Sequence, residues 1–219
     1  MCSRPKSWPH CASGSRARSG PGPSARDPGA TGQARRATPE DAPPLQEMRA
    51  IVMRALNRSE LLVTAALPYK ILPPNFNRYT IDNSHYGSHV DNTLRPLPDG
   101  SYLRTDVSAT LLLSGPEEYE GGELHIEDTF GEHRVKLDAG SLVVYPSGSI
   151  HEVLPVTGGE RLACYMFMQS LVRDIESRRH LFEMDKALIS LRSRYGDDDP
   201  DLIRMTGLYH NLVRRWAEC

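Results

Sequence analysis

The sequence predicts a mainly β domain, a sandwich or a barrel, with helices on both sides of it along the chain. Between about residues 75 and 169, short runs of β-branched and aromatic residues alternate with turn clusters rich in Gly, Pro and Asp. Strands separated so closely by turns indicate a sandwich or a barrel rather than alternating β–α–β units. Before and after this region, apolar residues recur at helical spacing.

The first 37 residues differ in composition from the rest of the chain. They contain no Ile, Leu, Val, Phe or Tyr, sixteen of them are Pro, Gly or Ser, and seven basic residues stand against one acid. Such a segment cannot bury enough apolar surface to offset its loss of entropy, so residues 1–37 are predicted to be a disordered basic arm. The remaining residues carry 19 Lys+Arg and 27 Asp+Glu, which argues against a nucleic-acid partner bound by bulk charge.

Residues 38–70 are predicted to form an N-terminal helical support. The segment Thr38-Pro39-Glu40-Asp41 is typical of a helix cap followed by a proline at the first helical position. A set of apolar residues then falls on one helical face: Leu45, Met48, Ile51, Val52 and Leu56. Prolines at positions 68, 73 and 74 end this region.

Residues 71–170 are predicted to be the β domain. The strand-like runs are residues 76–81, 107–113, 135–137, 142–145 and 162–167. Turn signals separate them, among them the Gly-containing turns at 98–100, 120–122, 138–140 and 157–159.

Residues 171–219 are predicted to be a C-terminal helical extension. Two helical faces can be read, which Gly196 and the turn at 197–199 separate: Leu181, Met184, Leu188 and Leu191, then Leu202, Met205, Tyr209, Leu212, Val213 and Trp216. We expect both faces to pack against the β domain.

A candidate metal site begins with His89 and Asp91, which are two residues apart in a strand-like stretch. Alternation places such residues on the same face. The pair alone is a weak signal, because an ordinary strand pair is the more frequent origin of this pattern. His151 follows a turn sixty residues after Asp91 and opens another apolar run. Two imidazoles and one carboxylate form a facial triad that suits Fe(II) with open positions, whereas zinc is more often held by three or four tighter ligands.

A candidate anion anchor, Arg161, lies ten residues after His151 and across the turn at 157–159. We expect a hairpin to bring its guanidinium near the metal face. A buried arginine is costly without an anionic partner, and its planar fork suits a carboxylate. A dicarboxylate cosubstrate would place one end on Arg161 and its keto-acid end on the metal.

These residues together resemble the signature of the Fe(II)- and 2-oxoglutarate-dependent dioxygenases. Further segments resemble the bacterial PKHD-type hydroxylases within that superfamily: residues 76–79, 87–92, 104–108, 121–124 and 208–218. The resemblance runs from about Thr38 to the C-terminus. It implies a double-stranded β-helix (jelly roll) plus a C-terminal helical extension. It also implies metal ligands at His89, Asp91 and His151, with 2-oxoglutarate on Arg161.

The resemblance implies Fe(2+), 2-oxoglutarate and L-ascorbate (vitamin C) as cofactors, and a context of iron uptake and iron homeostasis. The expected reaction hydroxylates an unidentified substrate with dioxygen and releases succinate and CO2. Peptidyl proline, a free amino acid and a siderophore-like small molecule all stay open as substrates. Members of the family are expected to have a leading strand and helix where the arm stands, and the composition of the arm resembles a misassigned start.

Two other functions are weighed against this prediction. One is a non-catalytic cupin-like metal-binding or sensor protein, which has no need of Arg161. The other is a structural protein whose helical tail mediates dimerisation. We expect a cytoplasmic protein, because four scattered cysteines form no CxxC pair. We also expect no membrane partner, and a homo-oligomer formed through the C-terminal helices.

Several other polar residues lie near these motifs and are candidates for the site. Tyr79 and Arg78 are candidates to face the cosubstrate or substrate, although a strand Tyr is usually a core residue. Arg104, Asp106 and Asn92 either line the substrate mouth or are surface and turn groups. His85 is predicted to be a loop group, and both His125 and His133 are predicted to be exposed.

Overall fold

The computed structural model describes residues 40–129 and 131–218, so the arm predicted over residues 1–37 lies outside the described residues. The helices are α1 (Pro43–Leu56), α2 (Glu60–Ala66), α3 (Ile175–Tyr195) and α4 (Pro200–Trp216). The strands are β1 (Pro68–Ile71), β2 (Asn75–Tyr79), β3 (Tyr86–His89), β4 (Leu94–Pro96), β5 (Tyr102–Arg104), β6 (Val107–Leu112), β7 (Tyr119–Gly121), β8 (Leu124–Asp128), β9 (Gly131–Val135), β10 (Leu142–Pro146), β11 (His151–Val153), β12 (Val156–Gly159) and β13 (Arg161–Ser170).

Two antiparallel sheets form a jelly roll, as predicted. The larger sheet has the order β1-β13-β6-β10, with β2 also paired to β13, and the smaller sheet has the order β3-β11-β8-β9. Two short ribbons, β12 with β7 and β4 with β5, complete the strand pairing. Residues of both sheets line one cavity, which therefore lies between them.

Strand β13 separates the core of the protein from this cavity. Its even-numbered residues Cys164, Met166 and Met168 are fully buried in a cluster with Val52 and Leu56 of α1. Of its odd-numbered residues, Arg161, Tyr165 and Phe167 line the cavity, which Met166 also touches. Because side chains alternate along a strand, one face of β13 packs against the helices and the other forms the floor of the site.

The N-terminal helices differ from the prediction in their start and in their buried face. Helix α1 begins at Pro43 after Ala42, not at Pro39. Met48 and Ile51 are exposed, and Arg49 is buried instead. The guanidinium of Arg49 donates to the carbonyl of Pro74 at 2.9 Å and forms an ion pair with Glu40 at 2.7 Å. Strand β1 begins at Pro68 and pairs with β13, so the sheet starts inside the segment predicted to be helical.

The C-terminal helices form where the sequence predicts them, but their apolar faces pack mainly on each other and on α2 rather than against the strands of the β domain. Asp199 caps α4, and its carboxylate accepts from the backbone N–H groups of Asp201 and Leu202. Residues of both predicted faces share one cluster with Leu67 and Val172. Met205 is an exception, because it is 39% exposed.

The strand predicted over residues 135–137 ends at Val135. Lys136 turns away and donates its amine to the carbonyl of Tyr119 at 2.7 Å.

Within the described residues, no helix is both long and apolar enough to cross a membrane.

Candidate active site

The three residues of the predicted triad converge on one point. His89 ends β3 and His151 opens β11, and the antiparallel register places them directly opposite each other. Asp91 lies two residues beyond the end of β3 and keeps the same face. Its carboxylate oxygens lie 3.8 Å from Nε2 of His89 and 3.7 Å from Nε2 of His151. One donor atom from each residue lies within 4.8 Å of the other two, an arrangement that can hold a metal ion.

Backbone carbonyls fix the orientation of both imidazoles. Nδ1 of His89 lies 2.8 Å from the carbonyl oxygen of Gly87, and Nδ1 of His151 lies 3.0 Å from that of Ser149. A carbonyl oxygen can only accept, so each Nδ1 carries the proton. Each Nε2 therefore presents its lone pair to the centre, which is the tautomer that a metal ligand needs.

A pair of buried serines holds the carboxylate of Asp91. The hydroxyl of Ser108 donates to Oδ2 of Asp91 at 2.5 Å and lies 2.7 Å from the hydroxyl of Ser147. Both serines are 2% exposed. Ser108 comes from β6 of the larger sheet, so this contact joins the two sheets at the triad.

Burial sets the ionisation of two aromatic groups at the centre. Burial lowers the pKa of His151, and the nearby Asp91 and the bond to Ser149 oppose this effect by raising it. The imidazole is therefore held neutral at physiological pH. Burial and the charge of Asp91 raise the pKa of Tyr145, which stays a neutral phenol. The ring of Tyr145 packs edge-on to His151 at 4.9 Å between centroids.

Arg161 reaches the cavity by a route that the sequence did not indicate. The expected hairpin does not form, because β12 pairs with β7 while β13 joins the larger sheet. Arg161 opens β13 and therefore enters from the sheet that faces the two histidines. Its side chain is 1% exposed, no carboxylate among the described residues pairs with it, and none of its three guanidinium nitrogens makes a hydrogen bond of normal geometry there, although the Tyr119 phenol is near enough to raise its pKa.

Aromatic residues surround this guanidinium. Tyr79 of β2 is its cross-strand neighbour, and the Tyr79 ring lies 5.5 Å from the guanidinium carbon. Burial lowers the pKa of Arg161, and the phenols of Tyr119, Tyr79 and Tyr145 partly offset this effect. The backbone of Gly122 lies so close to the side chain of Arg161 that a Cβ at this position would be 3.2 Å from Cδ of Arg161.

The triad and Arg161 share one cavity of about 990 Å³. Two imidazole nitrogens and one carboxylate leave open coordination positions, as Fe(II) chemistry with a chelating cosubstrate requires. A buried guanidinium without a protein partner is costly unless an anion joins it. The donor set and the unpartnered guanidinium therefore fit Fe(II) and the distal carboxylate of 2-oxoglutarate.

Of the other residues predicted near the substrate, some line the cavity and others form contacts away from it. Arg104 and Asp106 form a two-pronged ion pair at 2.7 and 3.0 Å. Asp106 also accepts from the backbone N–H of Ser170 at 2.9 Å, so this pair braces the end of β13. Asn92 does not line the cavity, whereas Arg78 does, with its guanidinium 2.6 Å from Glu160.

The histidines outside the triad divide into two kinds. His85 lies in a loop and His133 is exposed, both as predicted. The prediction that His125 is exposed is wrong, because it is buried between two carboxylates. Its ring nitrogens lie 3.0 Å from Glu152 and 3.2 Å from Glu132.

The sequence did not indicate that two serines hold Asp91, nor that Tyr119 lies beside Arg161. A signal for Ser108 exists in Val107-Ser108-Ala109-Thr110, where hydroxyls alternate with apolar residues on a strand buried on both faces. Buried hydroxyls of this kind need partners. Ser147 lies in a turn and Tyr119 opens the short strand β7, and neither carries a comparable signal.

Comparisons with known proteins agree with this geometry. The profile described as "2OG-Fe(II) oxygenase superfamily" matches residues 74–169, and "PKHD-type hydroxylase C-terminal domain" matches residues 176–218. A PKHD-type hydroxylase of Azoarcus sp. (strain BH72) is 59% identical over 180 residues, 82% of this chain and 79% of the relative. One from Nitrosomonas europaea is 60% identical with the same coverage.

Among solved structures, a Pseudomonas putida prolyl-4-hydroxylase is 30% identical with a TM-score of 0.40, over 61% of this chain and 69% of that one. The family is shown by the hydroxylases of Azoarcus and Nitrosomonas, which are 59% and 60% identical to this chain over 79% of their own length. The chain belongs to the PKHD-type hydroxylases of the 2OG-Fe(II) oxygenase superfamily, and it is an oxidoreductase of the dioxygenase class.

Proposed function

We propose that this chain hydroxylates a C–H bond of its substrate, with Fe(II) on His89, Asp91 and His151 and with 2-oxoglutarate anchored by Arg161. One observation carries the proposal: a buried guanidinium without a partner among the described residues shares a cavity with three converging metal donors. When bound, Fe(II) and 2-oxoglutarate supply the oxidising chemistry, in which the cosubstrate is converted to succinate and CO2 and one oxygen atom of dioxygen enters the substrate.

The residues of the chain prepare the metal site in two ways. The carbonyls of Gly87 and Ser149 hold both imidazoles with Nε2 toward the metal. Ser108 holds the carboxylate of Asp91, so that its other oxygen is free to bind. Such contacts around a ligand set its orientation and tune its affinity for the metal.

Arg161 binds and orients the cosubstrate. Its planar fork matches a carboxylate, and the low-dielectric surroundings strengthen the pair. Tyr79 packs against the guanidinium and limits where it can move. We therefore propose Tyr79 as a supporting residue of the cosubstrate site.

A cupin-like metal-binding or sensor protein remains the rival function. It leaves the burial of Arg161 unexplained, because metal binding alone does not require a buried cation on the opposite sheet. The family membership favours the enzyme.

We also propose L-ascorbate as the reductant that keeps the iron in its Fe(II) state, and a cytoplasmic location. The candidate substrates are peptidyl proline, a free amino acid and a siderophore-like small molecule of iron uptake, and the last of these would place the enzyme in iron homeostasis. A homo-oligomer through the C-terminal helices is supported by exposed apolar residues there: Ile189, Ile203 and Leu208 are 51%, 57% and 54% exposed.

The test is succinate release by purified protein with Fe(II), 2-oxoglutarate and ascorbate. The substrate panel holds a proline-containing peptide, free proline and siderophore-like chelators. We expect one class to raise succinate release above the substrate-free rate and to gain one oxygen atom by mass. Asp91→Ala is the matched control and should release none. Wild-type protein that binds metal and 2-oxoglutarate but never forms succinate would support the rival function.

A further inference from the structure

A second guanidinium lines the same cavity without an anionic partner. Four arginines of the described residues line it, and two of them form ion pairs: Arg49 with Glu40 and Arg78 with Glu160. Arg161 is the proposed anchor of the cosubstrate. Arg95 has no anionic partner, since no ion pair joins it to any residue that the structure describes.

Arg95 is held in place by an aromatic ring. It occupies the centre of β4, and its guanidinium carbon lies 4.4 Å from the centroid of the Phe167 ring. Its Nε is buried and has no hydrogen-bonding partner within the described ranges. Stacking on an aromatic face restricts a guanidinium and leaves its edge free to bind a planar anion.

The register of β13 places Arg95 and Arg161 at opposite ends of the cavity. Phe167 is six residues beyond Arg161 on β13, about 20 Å along an extended strand. Phe167 pairs with Ser108 across β6, and Ser108 bonds to Asp91. The triad and Arg95 therefore both lie near the Phe167 end of the floor, away from Arg161.

Because Arg161 and Arg95 lie at opposite ends of the cavity, they face different ligands. A cosubstrate that joins the triad to Arg161 fills the Arg161 side of the cavity. A substrate has to bring its C–H bond to the triad from the other side, where Arg95 lies. Arg95 is thus positioned to meet the substrate.

We infer that the substrate of this enzyme carries a carboxylate, which Arg95 binds while stacked on Phe167. This inference rests on the proposed function. A carboxylate is favoured over a phosphate monoester, because a single guanidinium neutralises one charge and a phosphate monoester carries nearly two. The carboxylate comes from a free small acid or from a peptide, and the two sources are separated in the test.

The test measures binding without turnover. Protein loaded with Mn(II) and saturating 2-oxoglutarate is screened by ligand-detected NMR against small carboxylic acids, each paired with its primary amide. A second arm uses short proline peptides that differ only in Glu against Gln. Saturating 2-oxoglutarate keeps the probes away from Arg161.

We expect acids in one arm to bind about ten- to a hundredfold more tightly than their amides, as one charge-assisted contact implies. Arg95→Met should abolish this preference, and Arg95→Lys should retain part of it. Arg78→Met is the matched control, because that arginine lines the cavity but is engaged by Glu160, and the preference should persist in it.

Two results would overturn the inference: acids that bind no better than amides in the loaded wild type, or a preference that survives in Arg95→Met. Loading with Mn(II) and 2-oxoglutarate is measured first, in every variant. Failure of the wild type to load would count against the proposed function, whereas a loaded protein without the preference counts against the role of Arg95 alone.

Discussion

His89 and His151 face each other across the β3–β11 pair, with ring centroids 4.3 Å apart and each Nδ1 bonded to the carbonyl two residues before it. The same local geometry thus occurs on both strands. Since backbone atoms set both tautomers, the two Nε2 atoms are oriented before any metal arrives. Asp91 differs, because a side chain on the other sheet orients it.

Ser108 should therefore matter for metal binding. Ser108→Ala removes the bond to Asp91 and leaves the neighbouring hydroxyl of Ser147 without its partner. Loss of a contact that orients a ligand typically costs ten- to a hundredfold in metal affinity. Calorimetric titration with Mn(II) should show a loss in this range, with a smaller loss in Ser147→Ala. Equal metal affinity in Ser108→Ala and wild type would mean that Asp91 is held by other means.

Arg161 should have opposite effects on cosubstrate binding and on stability. Arg161→Met should weaken 2-oxoglutarate binding by about ten- to a hundredfold and change metal affinity little. In the absence of ligands, the same variant should unfold at an equal or higher temperature than wild type, because a buried cation without a partner is replaced by an apolar chain. Titration calorimetry and thermal unfolding measure the two effects.

The control for this pair of effects is Arg161→Lys, which keeps a charge but loses the planar fork. It should bind 2-oxoglutarate more weakly than wild type and gain no stability. A clear drop in the melting temperature of Arg161→Met without ligand would show that the guanidinium is bonded within the fold.

Gly122 should be intolerant of a side chain. Its φ is +67°, and a Cβ would lie 2.7 Å from Val156 Cγ2 and 3.2 Å from Arg161 Cδ. Gly122→Ala should cost about 1–3 kcal/mol of the free energy of unfolding, and it should weaken 2-oxoglutarate binding because Arg161 has to shift. Gly100→Ala is the matched control, since its φ is +80° but nothing lies within 4 Å of a Cβ there. An unchanged 2-oxoglutarate affinity in a folded Gly122→Ala would show that Arg161 tolerates the contact.

His125 should stabilise the fold in a pH-dependent way. Its hydrogen bond to Glu152 and its contacts with Glu132 raise its pKa above the usual 6.5. A raised pKa in the folded state means that this stability is complete below pH 6.5 and is lost as pH rises through the folded pKa. The free energy of unfolding of wild type should exceed that of His125→Gln by about 0.5–1 kcal/mol near pH 6.

Chemical denaturation of both proteins near pH 6 and near pH 8.5 measures this difference, which should shrink at the higher pH. The exposed His133 supplies the control, because His133→Gln should show no such trend. A difference that stays constant or grows with pH would exclude charged His125 as the cause.

Local signals in the sequence predicted a sandwich or barrel and the pairing of His89 with Asp91, whereas the jelly roll came from the resemblance to the dioxygenases. His89 and Asp91 are joined by strand alternation, and the longer strands have high β-propensity. The route of Arg161 could not be predicted, because it depends on which sheet β13 joins, and strand pairing is a non-local property. The burial of Arg49 in place of Met48 was missed for a similar reason, since its partners Pro74 and Asn75 lie some 25 residues away.

We propose that His89, Asp91 and His151 hold one Fe(II) to which 2-oxoglutarate binds. Visible absorption under nitrogen tests it most directly, because an Fe(II) chelate of a 2-keto acid has a charge-transfer band that neither component shows alone. Wild type titrated with Fe(II) in the presence of 2-oxoglutarate should develop this band and saturate at one equivalent, whereas Asp91→Ala and His89→Ala should develop none. An undiminished band in folded Asp91→Ala and His89→Ala would contradict the account.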